Sequence, residues 1–263
     1  MEDLINRLRR QLLAIEADGS FNMKSGHIRA AHDEISNILD EIDLLGKADD
    51  LLSPRNIELR RRFIATNAKL HSRTELIMAE SLLRSAGDVM SFLEKTYINK
   101  GFSDLLRLQI DEWRKCGVRL CESDRIILVG GGALPQTQVF LSKCVPCKIV
   151  CVDRDLQAVE LCQKILRKNG NKDLTAVHAD GANFDYAGAS LVVVATLVED
   201  KEKIAVRIKD TNSKAFFSPR CPVGAHAFWR SKIDWEFMTS IGWNLISVLS
   251  PRSSSVKSAL FAR

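Results

Sequence analysis

Two hydrophobic rhythms divide the chain. Up to about Gly117, apolar residues recur three and four apart, as in Leu4, Leu8, Leu12 and Ile15, then Ile35, Ile38, Leu39 and Ile42. That spacing puts them on one face of an α-helix. Glycine-containing breaks at ADGSFNMKSG and LLGKADDLLSP separate the first stretches. Longer helical patterns run from Asn56 to Lys95 and from Phe102 to Lys115. The pattern predicts four to six helices and a helical domain over residues 1–120. After Glu122 the rhythm changes. RIILVG, CKIVCVD, LTAVHAD, SLVVVAT, KAFFSP, WNLISVLS and SALFAR are short runs rich in β-branched residues. Helix-like segments such as LQAVELCQKILRKNG and DKEKIAVRIKD lie between most of them. Buried strands alternating with helices predict a mostly parallel, seven-stranded α/β sheet over residues 121–263. The last two runs, joined by a serine-rich connection, predict a terminal antiparallel pair.

Composition narrows the class without naming a function. Hydrophobic residues make up 46% and charged residues 27%, as in ordinary globular proteins. No apolar run approaches the ~20 residues that span a bilayer. The first nineteen residues alternate charge with apolar positions and lack the core of a signal peptide. We expect a cytoplasmic protein without a membrane partner. The net charge of +5 is spread out, apart from the runs at Arg60–Arg62 and Arg7–Arg10, and only two tyrosines are present. That argues against nucleic acid as a partner. Seven cysteines, an odd number, read as free thiols. Cys144 and Cys147 have redox or zinc spacing, but no second such pair accompanies them, so no metal is expected. The amphipathic start could serve a homodimer.

The candidate chemistry begins at RIILVGGGALPQTQVFL. A strand runs into Gly130, Gly131 and Gly132, and a helix begins near Pro135. Glycines in the first βα turn of a doubly wound sheet allow positive φ and let a ligand approach the backbone. The next strand ends at Asp153, about twenty residues on, where a carboxylate can bind a ribose. It could equally cap the following helix. Asp180 ends the third strand, either against an adenine or as a turn former. With Leu134, Pro135, Thr137, Arg154, Gly181, Ala182, Thr196 and Leu197, these form the candidate nucleoside site. Both a dinucleotide and S-adenosylmethionine suit it, and the ladder of seven short runs favours the second.

These segments resemble nicotianamine synthases and the bacterial relatives that build opine-type metallophores such as staphylopine. VGGGALPQTQVFL is similar to that family's V-G-S/G-G-P-L-P-L-S/T loop, with Ala133 in place of a proline. VVVATLVEDKEKIAVRI resembles V-F-L-A-A-L-V-G-x-x-x-E-E-K-x-x-V-I, and SPRCPVGAHAFWRSKID stands where the family has R-S-A-H-G-x-R-x-F-L-Y-P. FSDLLRLQIDEW resembles the helix before the glycine strand. The resemblance implies a Rossmann-like fold and S-adenosyl-L-methionine as co-substrate. It also implies transfer of the 3-amino-3-carboxypropyl group onto an amine, with methylthioadenosine as by-product. In the bacterial relatives the acceptor is usually histidine, and an opine-dehydrogenase-type reductase consumes the product. Multi-round nicotianamine synthesis, an ordinary methyltransferase, and a nucleoside- or nucleic-acid-binding module without turnover are the alternatives.

Such a transfer needs a neutral amine, and amino-acid amines are mostly protonated at neutral pH. A base must therefore stand nearby. In SRTELIMAESLLRSAGDVMSFLEKTY, apolar residues at 79, 82, 83, 86, 90 and 93 form one stripe. Glu75 projects onto its middle and Glu80 onto its edge. A carboxylate on an apolar face has a raised pKa suited to proton transfer. Ser72 and Glu75 also fit a capping box, and Glu80 also fits an ion pair with Arg84. The resemblance implies a catalytic glutamate on this helix, matched more readily by Glu75. Tyr97 is the phenol nearest a tyrosine run of the family, whose last tyrosine is Phe102 here. Arg220 suits a bidentate grip on the acceptor's α-carboxylate, and His226 is a second substrate candidate.

Overall fold

A computed structural model describes residues 1–95, 99–251 and 254–263. The helical half contains α1 (Glu2–Asp18), α2 (Gly26–Leu44), the single turn α3 (Ala48–Leu51), α4 (Ile57–Arg84), α5 (Val89–Glu94) and α6 (Asn99–Lys115). The apolar stripe of α1, Leu4, Leu8, Leu12 and Ile15, packs on Ile35, Ile38, Leu39 and Ile42 of α2. The run expected from Asn56 to Lys95 breaks after Arg84. Asp88 starts a new helix by accepting a hydrogen bond from the Ser91 N–H at 3.0 Å.

All seven expected strands form. β1 (Arg125–Val129), β2 (Lys148–Asp153), β3 (Leu174–His178), β4 (Leu191–Val194), β5 (Phe216–Pro222), β6 (Asn244–Leu249) and β7 (Val256–Ala262) lie in the order β3-β2-β1-β4-β5-β7-β6. The first five are parallel, and β7 runs antiparallel between β5 and β6. The helices α7 (Gln136–Leu141), α8 (Leu156–Asn169), α9 (Lys201–Thr211) and α10 (Trp235–Ser240) complete the half. The central strands read as unbroken apolar runs because both faces are covered. On β1, Ile126 and Leu128 face one core and Ile127 and Val129 the other.

The core runs across residue 120. Leu76, Ala79 and Leu82 of α4 join Ile126 and Leu128 of β1 and Val159 and Cys162 of α8 in one cluster. The cluster around α1 and α2 likewise takes in Ala225, Phe228 and Trp229 from beyond β5. The helical half is therefore docked firmly on the sheet, with α4 lying over α8. Strand order reverses at β1, whose neighbours are β2 and β4. Loops that diverge there leave a crevice at the carboxyl ends of the strands. Cys144 and Cys147 are both free thiols. Among the described residues, no helix is long and apolar enough to cross a membrane.

Candidate active site

A cavity of about 380 Å³ occupies that crevice, with α4 as its other wall. Its size falls in the range of small-molecule sites. The three glycines make it possible, each against a different neighbour. Gly130 (φ 75°) and Gly132 (φ 67°) adopt backbone conformations that side chains rarely take. A Cβ at Gly130 would overlap Val198 beyond β4, and one at Gly131 would overlap the Cys151 thiol of β2. One at Gly132 would overlap the carboxylate of Glu75.

Asp153 fixes this bend. Its Oδ2 accepts from the Gly132 N–H at 2.8 Å, and its Oδ1 from the Asp155 N–H at 3.0 Å. The capping role falls to Asp155, which accepts from the Gln157 and Ala158 N–H groups at 2.9 and 3.2 Å. Asp153 is left lining the cavity together with Arg154, Gly181 and Leu197. Asp180 lines it too while closing a turn, accepting from the Ala182 N–H at 2.9 Å and from Asn183 Nδ2 at 3.0 Å.

Glu75 lies in the middle of α4, far from the helix start at Ile57, so it caps nothing. It projects into the cavity. Burial pushes its carboxyl up to about 8, and the neighbouring Asp153 carboxylate adds to the rise. The Ala133 and Leu134 N–H groups donate to it and pull the other way. The result is a group that can take and return a proton near neutral pH.

Several expected residues stand elsewhere. Glu80 is 44% exposed and faces Arg84 at 3.7 Å, one turn on, outside the cavity. Its place at the edge of the stripe turns it to solvent. Tyr97 falls outside the described residues. Leu134 reaches the site only through its N–H, and Pro135 precedes the first turn of α7. Thr137 points away, accepting from Arg220 Nη1 at 3.2 Å. Ala182 and Thr196 are off the cavity wall; the Thr196 carbonyl accepts from Lys201 Nζ at 3.0 Å. Arg220 is 3% exposed, and its Nε and Nη2 donate to Gln109 Oε1 at 3.3 and 3.1 Å. It is held by neutral partners behind the glycine bend and does not line the cavity. His226 sits in the 3-10 turn Gly224–Phe228, its Nε2 2.8 Å from Asp40 Oδ1.

Sequence reasoning missed two contributors. Ser72 of α4 lines the cavity one turn before Glu75. Lys201 is fully buried at the start of α9. Its Nζ donates to the carbonyls of Thr196, Val198 and Ser231, which ties the loop after β4 to the segment after β5.

No family model matches the chain, and no curated protein sequence matches it. Solved structures match in shape. MtNAS in complex with MTA and tNA aligns with a TM-score of 0.81 at 20% identity, over 98% of this chain and 97% of that one. A glutamate-to-glutamine variant of MtNAS in complex with S-adenosylmethionine gives 0.79 at 19% identity, over the same shares. A SAM-dependent methyltransferase from Aquifex aeolicus gives 0.50 at 16% identity, over 66% of this chain and 98% of that one. The chain thus has the fold of MtNAS along nearly its whole length, helical half and Rossmann-like sheet together.

Proposed function

We propose that the protein is a nicotianamine synthase-like transferase that moves the 3-amino-3-carboxypropyl group of S-adenosylmethionine onto the amine of an amino acid, histidine in the first instance. One observation carries the reading. Glu75, a carboxylate with its pKa near 8, touches the glycine bend that would cradle the nucleoside. A base at that contact fits an acceptor that arrives as an ammonium ion, and the pose of the sulfonium decides which of its carbons the freed amine attacks. The ligands of MtNAS and its fold over the full chain support the same reading.

Gly130, Gly131 and Gly132 would hold the nucleoside close to backbone, and Asp153 would face its ribose. The sulfonium supplies carbon centres activated to substitution. Glu75 takes the proton from the acceptor's ammonium, and the freed nitrogen lone pair forms the new C–N bond. The C–S bond breaks with its electron pair going to sulfur, which leaves as neutral methylthioadenosine. Positioning decides which carbon reacts, so the cavity must present the amino-acid arm and shield the methyl. The product, an amine carrying two carboxylates, suits a reductase that joins it to an α-keto acid in an opine-type pathway.

The test is incubation with S-adenosylmethionine and L-histidine or D-histidine, with products read by mass. Methylthioadenosine and a histidine heavier by one aminobutyrate are expected. S-adenosylhomocysteine would make the protein a methyltransferase. Transfer without added acceptor would favour several rounds on S-adenosylmethionine itself.

A further inference from the structure

Beside the proposed nucleoside cavity lies a second group of buried and half-buried polar side chains, which neither the glycine bend nor Glu75 uses. α2 contributes His32, α4 contributes Asn67 and His71, and the segment after β5 contributes His226, Trp229 and Arg230. His32 stacks on Trp229 with ring centroids 4.8 Å apart and meets His71 edge-on at 5.7 Å. Trp229 lies 6.2 Å from His226, and the Arg230 guanidinium carbon lies 5.3 Å from the Trp229 ring.

Two independent observations point to a ligand. The first is unmet hydrogen bonding. His32 Nε2, His71 Nε2, His226 Nδ1, Trp229 Nε1 and Asn67 Oδ1 are buried without a partner among the described residues. Only one other such atom, Arg125 Nε, occurs there, so the deficit is concentrated at one place. Native interiors pair nearly all such atoms, and clusters of exceptions mark sites that another molecule completes. The second is charge. Arg230 donates to Ser255 Oγ at 2.9 Å, yet no carboxylate among the described residues pairs with it. The three imidazoles bring no negative charge. Burial holds all three toward their neutral forms, against the pull of Asp33 on His32 and of Asp40 on His226, and the field of Arg230 adds to the shift. The nearby carboxylates, Asp33 and Asp40, lie on the solvent side against His32 and His226, which leaves the half-buried Arg230 guanidinium without an anionic partner and calls for one.

The cluster also stands where an acceptor must approach. His71 precedes Glu75 by one helical turn, about 6 Å along α4. Asn67 adjoins Ala68, which lines the nucleoside cavity. On the opposite wall Ser231, next to Arg230, donates from Oγ to the carbonyl of cavity-lining Glu199 at 3.3 Å.

The geometry points to an acceptor subsite: Arg230 takes a carboxylate of the amino-acid acceptor, and the imidazole, indole and amide groups around it take the acceptor's polar side chain. This assignment rests on the transfer reading above, and it moves the carboxylate grip from Arg220 to Arg230. The discriminating measurement compares L-histidine with L-histidinamide as acceptors for the wild type, R230Q and R230K. Loss of the guanidinium should raise the KM for L-histidine roughly 100-fold. It should also abolish the preference for the acid over the amide, while S-adenosylmethionine affinity and the melting temperature stay near wild type. R230K, which keeps the charge but not the fork, should fall between them. Unchanged KM and acid preference in R230Q would assign the cluster to internal hydration and overturn the subsite. Should the wild type bind L-histidine in calorimetry beside methylthioadenosine, dependent on Arg230 but without transfer, the subsite would stand and the transfer reading would fall. Transfer that proceeds with no dependence on Arg230 would do the reverse.

Discussion

Gly132 lies directly against the carboxyl group of Glu75: a Cβ at position 132 would overlap Oε2 and stand 3.1 Å from the carboxyl carbon. The glycine belongs to the sheet half and the glutamate to the helical half. One van der Waals contact therefore fixes both the floor of the cavity and the place of the proposed proton acceptor. G132A should be damaging twice over, through strain at φ 67° and through displacement of Glu75. We expect S-adenosylmethionine affinity to fall at least 10-fold and turnover to fall further, by roughly 100-fold or more. Calorimetry and product mass read the two effects separately.

Glu75 should act as a base whose ionisation limits the reaction on its acid side. The rate at low substrate should climb with pH, reach half its plateau near 8, the value to which burial pushes this carboxyl, and level off above it. Bound S-adenosylmethionine brings a positive sulfur into the same cavity and should favour the carboxylate. The acid limb of kcat should then lie at lower pH than that of kcat/KM. E75Q should retain cofactor binding and lose turnover by roughly 100- to 10,000-fold. E80Q, which alters only a solvent-facing pair with Arg84, should remain near wild type.

The same carboxyl should leave a mark on stability. Below about pH 4.5 it is protonated in both folded and unfolded chains. As pH rises from there toward 8, the unfolded chain ionises while the folded one still holds its proton. The folded state therefore loses stability across that window. In the apoprotein the melting temperature should fall more steeply between pH 5 and 8 for wild type than for E75Q. Parallel curves would show that Glu75 ionises freely in the fold.

The strands were legible because their burial on two faces turns them into short apolar runs that no helix period fits. The place of β7 between β5 and β6 was not, since hydrophobic pattern marks a strand without marking its neighbour. Nor was the break after Arg84, where Ala86 keeps the apolar rhythm and only the Asp88 cap reveals a new helix. At the site, Gly130–Gly132 and Asp153 were readable because local spacing along a βα unit fixes them. Glu75 was readable as a charge within an apolar stripe. Thr137 follows β1 and Arg220 lies within β5, not after it, and the two meet behind the bend, since sequence spacing does not say to which side a side chain turns.

Asp153 should be sensitive even to its amide. Its two oxygens accept from two different backbone N–H groups, Gly132 and Asp155. Asparagine has one carbonyl oxygen, so one of these donors would face an NH2 group. A lost hydrogen bond of this kind costs about 1–3 kcal/mol. D153N should weaken S-adenosylmethionine binding roughly 10- to 100-fold by calorimetry, before any loss of a ribose contact is counted. An unchanged affinity would show that the bend holds its shape without that carboxylate.

Lys201 offers the least expected test, because in sequence it is one cation in the charged run DKEK and looks solvated. In the fold it has no exposed surface, and its ammonium holds the carbonyls of Thr196, Val198 and Ser231. Burial pulls it down to about 8, so near neutral pH it still carries the proton needed to serve all three. Leu197, Val198 and Glu199 on this loop line the cavity at the glycine bend. K201M would keep the bulk and strand three acceptors, at a cost of about 2–4 kcal/mol, or a melting temperature lower by roughly 5–10 °C. The KM for S-adenosylmethionine should rise with it, whereas the acid limb set by Glu75 should stay in place. A variant with wild-type melting and cofactor KM would show that the loop after β4 is held by its own backbone and that Lys201 merely fills space.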